Sequence, residues 1–155
     1  MMEENEIKKL SVQLMETTRP AYFTTVDSNG IPYTRAVENL RNRKQFPALI
    51  KMFADHQDDL TVYVSTNTSS TKVDQIRKNR AVSVYYCRPK EYLGVMLGGL
   101  IEIVTDHKLK EELWIDGWER YYPEGVGDPD FTVLRLFPKH IRGWNSGRTF
   151  MLDLE

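Results

Sequence analysis

The chain has 155 residues, of which 41% are hydrophobic and 28% charged, and its net charge is -1. This length predicts one domain with a substantial buried core, and the composition is ordinary for a globular protein. The nearly balanced charge gives no reason to expect nucleic acid or an anionic membrane surface as a partner.

Cysteine usage and the N-terminal sequence bear on the cellular compartment. Cys87 is the only cysteine, which excludes an intrachain disulfide and fits a reducing environment. The first six residues are acidic and lack the apolar segment of a signal peptide. No apolar run approaches the ~20 residues that cross a bilayer. We therefore expect a cytoplasmic protein.

In chain order, the sequence first predicts a helix over 4–17 and strands over 21–26 and 31–37. An ordered excursion over 38–59 follows, with a helical turn at 48–53, and then a half-buried strand over 60–65 and a helix over 70–78. Arg19-Pro20 ends the first helix. The turn signal Asp27-Ser28-Asn29-Gly30 joins the first two strands into a hairpin.

From residue 81 onward, the sequence predicts strands over 81–87, 92–104, 131–137 and 149–154, a helix from Asp106 to about Gly117, and a loop over 122–129. Gly98-Gly99 predicts a bulge or sharp bend in the long second strand. Short, often consecutive strands with few helices between them favour antiparallel pairing. The predicted fold is mostly β (α+β), one domain over 1–155 in which six or seven antiparallel strands form a barrel with a few accessory helices.

The most informative segment is the strand–helix element over 62–76, in which a run of hydroxyl residues opens a helix with Lys72 in its first turn. A helix start has unpaired N–H groups and a partial positive charge, so together with hydroxyl donors and an ammonium group it suits a phosphate. The alternative is a helix capped by Ser69 or Ser70, with Lys72 in water. This segment alone leaves both interpretations open.

Arg35 is the second notable residue, because alternation places it on the same strand face as Ile31, Tyr33 and Val37. A guanidinium on an apolar face needs a partner. That partner is an internal carboxylate, water reached by snorkelling, or an anionic ligand such as a phosphate. In the last case, Arg35 and the Ser70/Lys72 segment would form two halves of one anion site.

Other candidate sites are weaker. His56, His107 and His140 lack metal-ligand spacing, and one cysteine gives no basis for a structural zinc site, so no metal is predicted. Cys87 is expected to be buried and inert. Trp144 is either a core residue or the edge of a site for a flat heterocycle.

Together these features resemble the pyridoxamine 5'-phosphate oxidase-related flavoproteins, a family with an FMN-binding split β-barrel. The likeness extends from about Ala21 to Trp144. The motifs that carry it are Thr66-Asn67-x-x-Ser70-x-Lys72, followed by Gln75-Ile76 and Asn79-Arg80, and Asn29-Gly30-x-Pro32-x-x-Arg35-x-Val37. In the family, the first motif holds the FMN phosphate and ribityl chain, and the arginine of the second meets the phosphate.

The resemblance implies a homodimer with FMN at the interface, acting as an oxidoreductase on an unknown small molecule with a reductant such as a nicotinamide. It implies the cofactor-binding residues Arg35, Ala36, Val37, Glu38, Asn39, Ser65, Thr66, Ser70, Thr71 and Lys72, with Trp144 reaching the flavin of the partner subunit. It identifies no catalytic residue.

Three departures from the oxidase pattern limit the predicted activity. Thr71 stands where the oxidase has a basic residue, Leu40 stands where it has a lysine, and no histidine follows Arg148 at the position that handles pyridoxine phosphate. FMN binding is therefore predicted without vitamin B6 oxidase activity, and the chain resembles the small general-stress-protein type. Two alternatives remain: a non-catalytic protein that binds FMN, F420 or haem for storage or sensing, and a structural dimer with a decayed motif.

Overall fold

The computed structural model describes residues 1–56 and 60–155. Within these residues there are four α-helices, α1 (Glu4–Thr17), α2 (Ile50–His56), α3 (Thr71–Lys78) and α4 (His107–Leu113). The same residues form eight strands: β1 (Ala21–Val26), β2 (Pro32–Val37), β3 (Val62–Asn67), β4 (Ala81–Arg88), β5 (Leu93–Ile103), β6 (Phe131–Leu136), β7 (His140–Asn145) and β8 (Arg148–Asp153). The predictions for the His56 side chain and for the end of the 38–59 excursion lie outside the described residues.

All strand pairs are antiparallel, in the order β2-β1-β4-β5-β6-β3, with β7 pairing with β5 and β8 with β7. This confirms the predicted class, a mostly β split barrel with accessory helices. No helix among the described residues has the length and apolar character of a membrane span.

The long strand β5 is where the sheet divides. Residues 93–98 pair with β7 and residues 101–103 pair with β6, while the ladder to β4 runs without interruption from Leu93 to Leu100. The sequence predicted a bulge or a sharp bend at Gly98-Gly99. The ladder to β4 has no bulge there, and β5 changes its other partner from β7 to β6 at this point. Gly99 is closely packed, because a Cβ there would lie 3.1 Å from the Leu136 side chain and 3.4 Å from the backbone of the β6–β7 connection.

Strand β7 was not predicted from the sequence. Gly143 lies within it, and glycine normally weakens a strand pattern. In the fold, a Cβ at position 143 would lie 2.3 Å from the Phe150 ring and 2.5 Å from the Gly94 carbonyl oxygen, so the strand needs glycine there.

The hydrophobic residues form two clusters on opposite faces of β3. Val62 and Val64 pack into the barrel interior, while Tyr63 packs into a second cluster with Leu113 and Phe131. Tyr63 is only 4% exposed, so the prediction of a half-buried strand over 60–65 is wrong. A strand covered on both faces gains burial from each side, at about 1.5–3 kcal/mol for a large apolar side chain.

The excursion after β2 covers the second cluster. Its described part contains a 3-10 turn, Pro47–Leu49, followed by α2. Leu40, Phe46 and Leu49 are buried in the cluster. The excursion thus packs against the second cluster, which also contains Tyr63 of β3 and Tyr122.

Candidate anion-binding groove

An open groove of about 590 Å³ lies between the end of β2, the end of β3, the start of α3 and the segment after α4. It is lined by Arg35, Ala36, Val37, Glu38, Ser65, Thr66, Asn67, Lys72, Trp118, Arg120, Tyr121 and Tyr122. The fold therefore brings Arg35 and Lys72, which belong to separate sequence motifs, to one place.

The Arg35 guanidinium is held by neutral acceptors. Its Nη1 donates to Thr25 Oγ1 at 2.7 Å and to the Tyr33 carbonyl oxygen at 2.9 Å. No carboxylate of the described residues is within ion-pair distance of Arg35. The internal-carboxylate interpretation therefore finds no support in the described structure, and Arg35 has no ion-pair partner among the described residues.

Lys72 also lacks a carboxylate partner among the described residues. Burial lowers the pKa of its ammonium group, and the nearby Arg35 charge lowers that pKa further. Glu38 is the one carboxylate among the described residues that line the groove, and it accepts a hydrogen bond from Gln45 Nε2 at 3.0 Å. An anion in the groove would relieve the repulsion between the two cations.

The start of α3 supplies further donors. Ser70 occupies the N-cap position, but its hydroxyl makes no capping bond, and Ser70 Oγ is buried without a partner in the described structure. Ser69 bonds instead to Asp130, through its backbone N–H at 2.9 Å and through its side chain. Helix geometry leaves the N–H groups of Thr71 and Lys72 without intrahelical acceptors. A phosphate at this helix start would accept hydrogen bonds from these N–H groups.

Four of the predicted site residues are not among those that line the groove: Asn39, Ser70, Thr71 and Trp144. Ser70 and Thr71 lie at the start of α3, directly before Lys72. The side chain of Asn39 is buried and donates to the carbonyl oxygens of Met15 and Thr18, each at 2.8 Å, so it ties the excursion to α1. The indole N–H of Trp144 donates to the Tyr85 hydroxyl at 2.7 Å. A role for Trp144 in a second subunit stays a prediction.

The far wall of the groove was not predicted from the sequence. Helix α4 ends at Leu113 rather than near Gly117, and the chain then forms a 3-10 turn, Trp118–Arg120, and places Tyr121 on the groove. The available signal was a cluster of aromatic residues around an arginine. Local spacing could not show that this segment crosses to β3.

Cys87 is only partly buried, which differs from the expected full burial. Burial nevertheless raises the pKa of its thiol, which disfavours the reactive thiolate. No group of three or more potential metal ligands occurs in the part of the chain that the structure describes.

The affinity of the groove for inorganic pyrophosphate is expected to fall as the pH rises. Because the pKa of Lys72 is lowered, this fall should begin at a lower pH than it would for a lysine of ordinary pKa. Lys72 is charged below its lowered pKa and loses its attraction for the anion as the pH rises through that value. A bound anion raises the pKa again, so binding at alkaline pH takes up a proton. Calorimetric titrations between about pH 7 and 10 measure this effect.

The matched variant for this prediction is Lys72→Arg, which stays charged over the same pH range. Its loss of affinity should move to higher pH. Superimposable profiles for the two proteins would contradict a contribution from Lys72.

Comparison with known proteins places the fold in a family. A family model described as pyridoxamine 5'-phosphate oxidase like matches residues 50–154, well over half of the chain. The chain belongs to this pyridoxamine 5'-phosphate oxidase-like family. The matched residues include β3 and α3 and begin after β2, so Arg35 lies outside them.

Solved structures extend the likeness of fold over nearly the whole chain. A Clostridium acetobutylicum protein related to general stress protein 26 of B. subtilis is 29% identical, with 99% of this chain and 97% of that chain covered and a TM-score of 0.76. General stress protein 26 from Bacillus anthracis is 20% identical, with coverages of 94% and 98% and a TM-score of 0.68. The predicted resemblance is confirmed.

The same fold occurs in a protein described as haem binding, from Mycobacterium smegmatis. It is 13% identical to this chain, and the match covers 98% of this chain and 60% of the Mycobacterium smegmatis chain, with a TM-score of 0.69. No curated protein matches this sequence.

Proposed function

We propose that this family member is an FMN-binding flavoprotein that acts as an oxidoreductase on a small molecule. One observation carries the proposal: Arg35 and Lys72, two cations without carboxylate partners in the described structure, line one groove at the start of α3. Such a pair suits a phosphate dianion. The hydroxyl of Ser70, at the N-cap of the helix that carries Lys72, is buried without a partner in the described structure and supports the same ligand group.

The groove offers places for the rest of the cofactor. Ser65 and Thr66, at the end of β3, would bind the ribityl chain, and the β2 backbone over 36–38 would lie beside the ring. Bound there, FMN would supply electron transfer between a reductant, such as a nicotinamide, and the substrate. The protein's part is to orient the ring and control its exposure to water.

We also propose that the protein is a homodimer. Directly paired residues across β1, β4, β5, β7 and β8 share one face of the sheet, and this row consists of Tyr22, Tyr85, Met96, Arg142 and Met151. Met151 is 69% exposed and Tyr22 is 37% exposed. A second copy of the chain on this face would cover the apolar side chains and bring the partner subunit's Trp144 toward the groove.

A non-catalytic carrier of haem or F420 is the competing function. The Mycobacterium smegmatis neighbour suggests haem, whose iron is commonly held by a histidine. Of the histidines whose side chains are described, neither lines the groove: His107 contacts Glu111, and His140 contacts Asp153. The phosphate donors at α3 favour FMN over haem.

The test is reconstitution of the purified protein with FMN. We expect the visible spectrum of a bound flavin, one FMN per chain, and the mass of a dimer in sedimentation. Oxidation of NADH or NADPH by the loaded protein would distinguish an enzyme from a carrier. A protein that remains colourless in excess FMN would contradict the proposal, and uptake of haem or F420 instead would support the competing one.

A further inference from the structure

Gln75 and Thr25 connect Arg35 to the helix on which Lys72 lies. Thr25, on β1, is 0% exposed, and Gln75, on α3, is 7% exposed. The Thr25 hydroxyl donates to Gln75 Oε1 at 2.5 Å and accepts from Arg35 Nη1 at 2.7 Å. Gln75 Oε1 also accepts from Arg35 Nη2 at 3.5 Å. The hydroxyl and the amide thus engage both terminal nitrogens of the guanidinium.

These acceptors are neutral, and their neutrality affects the charge of the groove. A carboxylate at the same distance would form an ion pair with Arg35 and cancel much of its attraction for an anion. A hydroxyl and an amide restrict the guanidinium without supplying negative charge. Arg35 is therefore held in place while its charge remains available to a ligand.

The position of Gln75 on α3 links the two cations mechanically. Lys72 and Gln75 are three residues apart, so they lie on neighbouring positions of one helix face. Val73 and Ile76 of the same helix are buried and fix its rotation against the barrel. The helix that presents Lys72 therefore also sets the direction of the Arg35 guanidinium.

We infer that Gln75, with Thr25, is a positioning residue of the phosphate site: it aims Arg35 at the group that Lys72 binds and leaves the charge of Arg35 uncancelled. The inference rests on the proposed function and deepens it. On this inference, the neutral side chains of Gln75 and Thr25 contribute to a preference for FMN over riboflavin, although neither side chain contacts the flavin.

The decisive variant is Gln75→Glu, which keeps the shape and the Oε1 acceptor but adds a negative charge beside Arg35. The ratio of FMN affinity to riboflavin affinity is expected to fall by at least about tenfold, because the new carboxylate pairs with Arg35 and repels the phosphate. Riboflavin affinity should change by less than about twofold, because riboflavin lacks the phosphate. Gln13→Glu, on the exposed side of α1, adds the same charge away from the groove and should leave the ratio unchanged.

Thr25 offers a matched pair. Thr25→Val removes the hydroxyl at nearly constant volume and should lower the FMN-to-riboflavin ratio, whereas Thr25→Ser retains the hydroxyl and should restore it. If Thr25 had only a structural role, Thr25→Val would lower the affinities for FMN and for riboflavin equally. Thermal melting of each variant shows whether it is folded.

The outcomes separate this inference from the proposed function. If the wild type prefers FMN and Gln75→Glu keeps the full preference, the inference is overturned and the proposed function stands. If the wild type binds neither flavin, the proposed function fails, and the probe becomes inorganic pyrophosphate. The inference then requires pyrophosphate to raise the melting temperature of the wild type but not of Gln75→Glu, and the absence of that difference overturns it.

Discussion

Replacement of both Arg35 and Lys72 by alanine is expected to weaken FMN binding severely. Each residue would contribute a charge-assisted hydrogen bond to the phosphate, worth about 1.5–3 kcal/mol. Removal of both would weaken binding by roughly a thousandfold, since each 1.4 kcal/mol is about a factor of ten. Flavin fluorescence titration of the double variant and the wild type measures the difference.

The control uses the exposed end of the same helix. The double variant Arg77→Ala with Lys78→Ala also removes two positive charges, but both are exposed residues of α3. Lys78 forms a surface ion pair with Asp74 at 3.4 Å. FMN affinity should change little in this control, because solvent and salt screen charges that do not line the groove. Equal losses in the two double variants would indicate a general charge effect and would count against a phosphate site at Arg35 and Lys72.

Gly143→Ala is expected to destabilise the fold by about 3 kcal/mol. A Cβ at this position would lie 2.3 Å from Phe150 Cζ and 2.5 Å from the Gly94 carbonyl oxygen. Phe150 is buried in the barrel and the Gly94 oxygen belongs to the paired strand β5, so neither can move away without loss of packing or pairing. Urea unfolding measures the free energy of unfolding.

Gly127→Ala is the matched control, because no atom lies within 4 Å of a Cβ built at position 127. Its free energy of unfolding should remain within about 0.5 kcal/mol of the wild type. A Gly143→Ala protein as stable as this control would show that β7 and β8 can separate easily. The close packing of β7 on β8 would then be a poor basis for positioning Trp144.

Local sequence signals were sufficient where an element depends mainly on its own residues. Helix α1 has the predicted bounds, because its apolar stripe and the following Arg19-Pro20 define both its buried face and its end. Strand β1 also agrees, because the turn at 27–30 sets where the hairpin reverses. The hydroxyl run before Lys72 likewise indicated a helix start, and α3 begins at Thr71.

The sequence by itself thus determined the mostly β class, the first hairpin, the strand–helix element and the likeness to the oxidase-related family. The tertiary structure decided what those pieces do together. It placed Arg35 beside Lys72, turned Gln75 and Thr25 toward the guanidinium, used Gly143 as a packing residue within a strand and brought the segment after α4 onto the groove. The reason is that periodicity, turns and helix starts are properties of neighbouring residues, whereas charge pairing and close approach depend on which distant segments meet.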